Sequence, residues 1–235
     1  MTIDNTPSHT FLPLTTCPLD SRLVNITHPE KPVIYGNCDL FKALYGEGSI
    51  KVMLALKRPQ ILGDSSAQAE LVKRRFQREA TIWSRLNHIN ILPFYGIVEL
   101  VLETSSVAEA YLASPWVESG DLSEFLAARL KCLDASAPER ACAAFSTFDE
   151  NLMIRGIASG LAYLHGHGVI HRDLKAANIL LSVSIEPLIC DFSLTKNEEF
   201  NVTSETQKHC GTGRWKCPTL EEGNPRTNTD FLSSL

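Results

Sequence analysis

The chain has 235 residues, 44% hydrophobic and 21% charged, the make-up of an ordinary folded protein with room for one large domain or two small lobes, and disorder throughout is excluded. A net charge of −5 removes the electrostatic case for nucleic acid, whose phosphates call for a basic face. No apolar run approaches the roughly 20 residues needed to span a bilayer, and the seven cysteines, odd in number and without a CxxC pair, point to reduced thiols in a cytoplasmic or nuclear compartment rather than to zinc or a disulfide framework.

Residues 1–30 read as a flexible N-terminal segment, the first 20 being rich in Thr, Pro and Asn without apolar periodicity. From Lys31 to Arg58 two β-rich runs, KPVIYGNCDLFKALY and SIKVMLALKR, are joined by a hairpin turn at Gly46-Glu47-Gly48. Gly63-Asp64-Ser65 then starts a helix that runs to about Leu86, with Val72, Phe76, Ala80, Trp83 and Leu86 on one face. Glu79 falls on that same face, and a carboxylate placed there needs a cationic partner.

Short strands are predicted at about 92–103 and 108–114, followed by a helix from Gly120-Asp121 to about Lys131 and a mobile insertion over Asp134 to Thr147. Another helix spans Asn151 to Gly166, with Met153, Ile157, Leu161 and Leu164 on one face and Gly166-His167-Gly168 as its stop. Short strands follow near Val169, Ile179 to Leu181 and Leu188 to Cys190. Strands first and helices later predict an α+β chain in two lobes.

Residues 169–194, VIHRDLKAANILLSVSIEPLICDFSL, place Asp173 and Asp191 after hydrophobic strands, with Lys175 and Asn178 between them. Phosphoryl transfer needs such a set: one carboxylate to accept or orient the proton of an attacking hydroxyl, another to hold Mg²⁺ on nucleotide phosphates, an amide to complete the metal shell, and a cation to offset charge. His171 reads as a core, hydrogen-bonding residue rather than an acid or base. His88, His165, His167 and His209 lack paired metal-ligand spacing.

The run His171-Arg172-Asp173-Leu174-Lys175-Ala176-Ala177-Asn178 resembles the catalytic loop of the protein kinase family, and Asp191-Phe192-Ser193 resembles its metal-binding motif with Ser for Gly. The resemblance covers about residues 30–235 and implies the bilobal kinase fold, with an N-lobe and hinge over 31–117 built on a five-stranded antiparallel sheet, and a partial, mainly helical C-lobe over 118–235. It implies Asp173 as catalytic base, Lys175 as the phosphate-facing lysine, and Asn178 and Asp191 as Mg²⁺ ligands. Leu54-Ala55-Leu56-Lys57 resembles the third-strand motif whose lysine pairs with a helix carboxylate, here Glu79, and reaches the ATP phosphates.

Ser114-Pro115-Trp116-Val117 resembles the adenine-binding hinge, which implies contacts from the Pro115 carbonyl and the Val117 N–H. Asp121 would meet the ribose, and Leu40, Ala55 and Leu180 the adenine ring. LNHINILPFYGI and Gly211-Thr212-Gly213-Arg214-Trp215-Lys216 resemble the tyrosine-kinase-like group, and Lys175 and Thr212 favour serine or threonine as acceptor.

The implied function is ATP-dependent transfer of the γ-phosphate to a protein hydroxyl, with ATP and Mg²⁺ as cofactors, a protein substrate, and no nucleic-acid or membrane partner. The glycine-rich loop keeps one glycine, Gly36, and Cys217-Pro218-Thr219 stands in place of Ala-Pro-Glu. The chain ends five residues after Asp230, which matches the family's helix F aspartate. A C-lobe lacking most of helix F onward, and a partner covering it, follow as expectations. The alternative is a catalytically impaired, pseudokinase-like module that binds nucleotide or a partner. Thr203, Ser204 and Thr206 lie where phosphorylation could order a segment through Arg172.

Overall fold

The computed structural model describes residues 19–27, 32–35, 38–49, 51–60, 65–101, 107–133 and 148–197. Gly36, the insertion at 134–147 and every position after 197, including Thr203, Thr212, Cys217 and Asp230, lie outside the described residues. The chain divides into two compact units: one holds the described residues up to Phe76 and Pro93–Trp116, the other Gln77–Leu92 and the described residues from Val117 on. The boundary differs from the sequence-based division at 117, because the helix carrying Glu79 contributes its C-terminal half to the second unit.

The first unit is built on strands β1 (Val24–Ile26), β2 (Val33–Tyr35), β3 (Cys38–Tyr45), β4 (Val52–Pro59), β5 (Gly96–Val101) and β6 (Ala108–Pro115). They form one antiparallel sheet in the order β1-β3-β4-β6-β5, with β2 also paired to β3. Since β4 occupies one edge of β3 along its whole length, β1 and β2 share the other edge. The expected five ranks are therefore present, but the first is broken. Ile26 faces Ala43 and Val33 faces Leu40, so seven steps on one side answer three on the other. An even insertion keeps the alternation of faces, which lets both halves stay in register with β3.

The strand β1 corrects the reading of residues 1–30 as flexible throughout. Asp20 caps a short 3₁₀ turn, Ser21–Leu23, by accepting from the Arg22 N–H at 3.0 Å. Thr27 donates from both its N–H and its hydroxyl to the Lys42 carbonyl at 2.9 Å. The sequence signal was weak because only three residues form the strand, and its partners lie far along the chain.

One sheet face is the core of this unit. Phe41, Ala43, Leu54, Leu56, Val98, Tyr111 and Ala113 are buried there, with Phe41 edge-on to Tyr111 at 5.7 Å between ring centroids. At the end of that face Arg58 bridges Asp39 (2.7 Å) and Glu109, Gln60 donates to Asp39 (2.6 Å), and the Tyr111 hydroxyl donates to Glu109 (2.8 Å). Burial would raise the Asp39 carboxyl, but hydrogen bonds from Arg58 and Gln60 outweigh it and hold the group below the usual carboxylate range. Burial, and then the bond to Glu109, push the Tyr111 phenol up.

The helix α1 (Ser66–Trp83) ends within the second unit, where Glu79, Ala80 and Trp83 are buried, as the apolar stripe predicts, and Ile82 is buried with them. That unit continues with α2 (Leu122–Leu133) and α3 (Glu150–Gly166), then β7 (Val169–Ile170), the 3₁₀ turn Ala176–Asn178, β8 (Ile179–Leu181), β9 (Pro187–Ile189) and β10 (Lys196–Asn197). Asp149 caps α3, accepting from Asn151 and Leu152 N–H at 2.8 and 3.3 Å, and Met153, Ile157, Leu161 and Leu164 are its buried face. Two glycines let β9 lie against α3. A Cβ on Gly156 would sit 2.5 Å from Pro187 Cγ, and one on Gly160 2.8 Å from Ile189 Cδ1. The segment after α1 runs beside the same strand, with Leu92 N–H to Ile189 O and Ile189 N–H to Asn90 O, both 2.9 Å.

Candidate active site

The residues of the His171–Asn178 run and Asp191 gather at one end of the β8–β9 hairpin. Ile179 faces Ile189, so the chain leaves β8 at Asn178 and β9 at Cys190 side by side, and the Cys190 N–H donates to the Asn178 carbonyl at 3.0 Å. Asn178 and Asp191 thus leave the same end of the hairpin. The hydrophobic strand residues Ile179, Leu181 and Ile189 are fully buried, which anchors the polar loop they carry.

Asp173 is 7% exposed and is held from three sides. Lys175 Nζ lies 2.8 Å from its Oδ2, Asn178 Nδ2 donates to the same oxygen at 3.1 Å and to the Asp173 carbonyl at 2.7 Å, and the Asp173 N–H donates to His171 Nδ1 at 3.3 Å. His171 is completely buried and its Nε2 lies 2.9 Å from the Cys190 carbonyl, a pair of contacts that fits the tautomer with its proton on Nε2. It braces the loop, as the sequence reading assigns it. Asp173 is thus a buried carboxylate with a lysine and an amide on one oxygen.

Two non-glycine residues here take left-handed backbone angles, Arg172 at φ 69° and Asp191 at φ 65°. Such angles cost about 1–3 kcal/mol each and persist only where the surroundings enforce them. Around Asp191 the enforcement is visible: Phe192 is fully buried between Trp83 and His171, each with ring centroids 5.6 Å away. The Ser193 N–H meets Asp191 Oδ1 at 3.4 Å, and Arg78 Nη2 donates to the Ser193 carbonyl at 3.1 Å.

Both side chains carry oxygen of the kind a hard cation takes: Asp191 is a carboxylate, and Asn178 an amide whose nitrogen donates to Asp173. Among the described residues no group of three or more His, Cys, Asp or Glu is assembled for a metal. One carboxylate and one amide fit Mg²⁺, which keeps waters and takes its other ligands from phosphate, better than a cation caged by protein alone.

In the first unit the register places Leu40 opposite Lys57, Lys42 opposite Ala55, and Ser114 opposite Ala55. Leu40, Ala55 and Lys57 therefore share the sheet face opposite the apolar core. Pro115 faces Leu54 at the end of β6, so its side chain belongs to the core face and its carbonyl remains its only polar group. Trp116 follows with its N–H on Met53 O at 3.0 Å, and its ring lies 4.9 Å from Lys42 Nζ.

In the second unit Glu79 is 5% exposed on α1 and Leu180 is half-buried in β8. The Val117 carbonyl accepts from the Gly120 N–H at 3.4 Å. Asp121 pairs with Leu180 as an isolated bridge, and its Oδ1 caps α2, accepting from Ser123 Oγ at 2.6 Å and the Glu124 N–H at 2.9 Å. Sequence reasoning gave Asp121 to a ribose and did not see this capping role, although Asp-x-Ser-Glu at a helix start is a capping signal. Nor did it single out Arg78, whose partner is 115 residues away.

The family described as protein kinase domain matches residues 49–232, well over half of the chain. The chain belongs to the protein kinase domain family. Curated relatives include a probable serine/threonine-protein kinase of Dictyostelium discoideum, 29% identical over 68% of this chain and 15% of its own length. Mitogen-activated protein kinase kinase kinase zak-1 of Caenorhabditis elegans is 31% identical over 73% of this chain and 23% of its own. Ephrin type-A receptor 1 of Mus musculus is 35% identical over 61% and 13%. The chain spans only 13% to 23% of the length of these relatives. Its α+β fold in two units is that of this kinase family. Among the described residues no helix is long and apolar enough to cross a membrane.

Proposed function

We propose that this kinase domain transfers the γ-phosphate of ATP to serine or threonine hydroxyls of a protein, as a member of the tyrosine-kinase-like group. The observation that carries the proposal is Asp173, buried, with Lys175 Nζ at 2.8 Å and Asn178 Nδ2 at 3.1 Å on one carboxylate oxygen. Asp173 orients the acceptor hydroxyl and takes its proton. The hydroxyl oxygen forms the new bond to the γ-phosphorus, the bond from that phosphorus to the β–γ bridging oxygen breaks, and ADP leaves with the electron pair. Lys175, beside Asp173, offsets negative charge on the transferred group.

Asn178 and Asp191 would hold Mg²⁺, which would neutralise charge on the phosphate oxygens. Lys57 and Glu79 keep the roles the resemblance gives them, as do Gly36, Leu40, Ala55, Pro115, Val117, Asp121 and Leu180 toward the nucleotide. Serine or threonine as acceptor is supported by Lys175 two residues after Asp173 and by the printed names of the Dictyostelium discoideum relatives, probable serine/threonine-protein kinases.

The test is incubation of the purified chain with radiolabelled ATP, Mg²⁺ and a mixed serine, threonine and tyrosine peptide library, followed by phosphoamino-acid analysis. Phosphoserine or phosphothreonine, falling by about 10²- to 10⁴-fold in Asp173→Asn, is the expected result. Phosphotyrosine alone would refute the acceptor class. Nucleotide binding with no Mg²⁺-dependent transfer would leave the pseudokinase-like module instead.

A further inference from the structure

The turn that carries Asp191 is held by α1 at two chemically different points. Trp83 packs on Phe192, with ring centroids 5.6 Å apart, and Arg78 Nη2 donates to the Ser193 carbonyl at 3.1 Å. Phe192 is fully buried, so the aromatic contact fixes where the turn lies. It does not fix how the turn's peptides are rotated. Rotation matters because Asp191 sits at φ 65°, a conformation that a residue with a Cβ abandons readily when nothing enforces it. The Ser193 N–H meets Asp191 Oδ1 at 3.4 Å, a long contact and weak as a restraint. The guanidinium on the carbonyl of the same residue is the stronger one, being charge-assisted.

Resting on the kinase reading above, we propose that Arg78 is a positioning residue for the metal: by gripping the Ser193 carbonyl it sets the rotation of the Asp191 turn and hence the aim of the carboxylate that takes Mg²⁺. Arg78 touches neither the nucleotide nor the cation in this role. Through that peptide group its removal weakens the metal's hold and leaves the metal-free nucleotide's hold alone. Arginine suits the task because its guanidinium stays charged and presents its donors on a rigid plane. Lysine keeps a cation but loses the plane. Ser193 contributes too, since a side chain at this position narrows the backbone freedom a glycine would have.

The test separates metal from nucleotide. Arg78→Met keeps much of the apolar stem, and Arg78→Lys keeps the charge. In the full chain, Mn²⁺ bound in the presence of ADP is measured by the loss of its free electron paramagnetic resonance signal, and ADP binding is measured separately in EDTA. For Arg78→Met the Mn²⁺ dissociation constant is expected to rise by about tenfold, the scale of one charge-assisted hydrogen bond. Arg78→Lys should recover part of that loss, and ADP binding in EDTA should match the wild type for both.

A wild type that binds Mn²⁺ with ADP, beside an Arg78→Met variant that binds it equally well, overturns this proposal and leaves the kinase reading standing. So does a variant that loses ADP binding in EDTA to the same degree, since the role would then be structural. If Arg78→Met does not fold, an Arg78→Lys protein with unchanged Mn²⁺ affinity overturns it as well. A wild type that holds no Mn²⁺ with ADP overturns both readings.

Discussion

Replacing Arg58 by methionine removes the cation that joins β3, β4 and β6 while keeping much of the apolar stem that lies over Phe41 and Tyr111. What remains is Asp39, 8% exposed, with Gln60 still donating at 2.6 Å but no positive charge. Breaking a fully buried ion pair costs about 3–5 kcal/mol. Arg58 is 27% exposed and Glu109 31%, so water screens part of the loss and the cost should be about 2 kcal/mol at pH 7. For a chain of this size that is a fall of about 4–8 °C in Tm.

The pH dependence identifies the cause. In the wild type the Asp39 carboxyl is held below its unfolded value, so its contribution is present above the unfolded pKa of about 3.9 and is lost as the pH falls through the folded one. Without Arg58, burial should lift the carboxyl above its unfolded value, and the variant gains relative stability as the pH falls. The deficit should therefore be largest at pH 7 and should shrink toward pH 4. Thermal unfolding followed by circular dichroism at both values measures it, and Asp39→Asn added to Arg58→Met should recover part of the loss at pH 7. A deficit equal at the two pH values, with no recovery in the double variant, would refute the electrostatic account and leave packing as the cause.

Gly160→Ala and Gly156→Ala should each lower stability by about 1–3 kcal/mol, because their Cβ atoms meet Ile189 and Pro187 inside contact distance, whereas Gly166→Ala, with nothing within 4 Å, should be neutral or slightly stabilising in the same melt. Asp149→Ala should cost about 1 kcal/mol, read by urea denaturation, since two N–H groups of α3 lose their acceptor. Asp191→Ala should abolish the rise in Tm that ATP with Mg²⁺ gives the wild type and spare any rise with ATP in EDTA. An equal rise with Mg²⁺ in both proteins would remove Asp191 from the metal site.

The long elements were legible because their signals are local. The stripe through Phe76, Ala80 and Trp83 predicted α1 and the burial of Glu79, and the spacing of Met153, Ile157, Leu161 and Leu164 predicted the buried face of α3. The broken first strand was not legible, since the break shows only in the register against β3. The site divides in the same way. Asp173, Lys175 and Asn178 lie within six residues of one another, and the structure joins them by hydrogen bonds. Arg78 reads in sequence as one more helix-surface cation, and only its place beside Ser193 sets it apart.

By itself the sequence determined the kinase family and the α+β class, and it named the residues proposed for phosphoryl transfer, because motif spacing, hydrophobic period and side-chain chemistry are properties of short stretches of chain. Tertiary structure alone decided that Leu40, Ala55 and Lys57 share one sheet face, that His171 braces the loop from the Cys190 carbonyl, and that α1 grips the Asp191 turn. Each of these depends on residues distant in sequence, and a contact between them exists only once strand register and burial have brought the segments together.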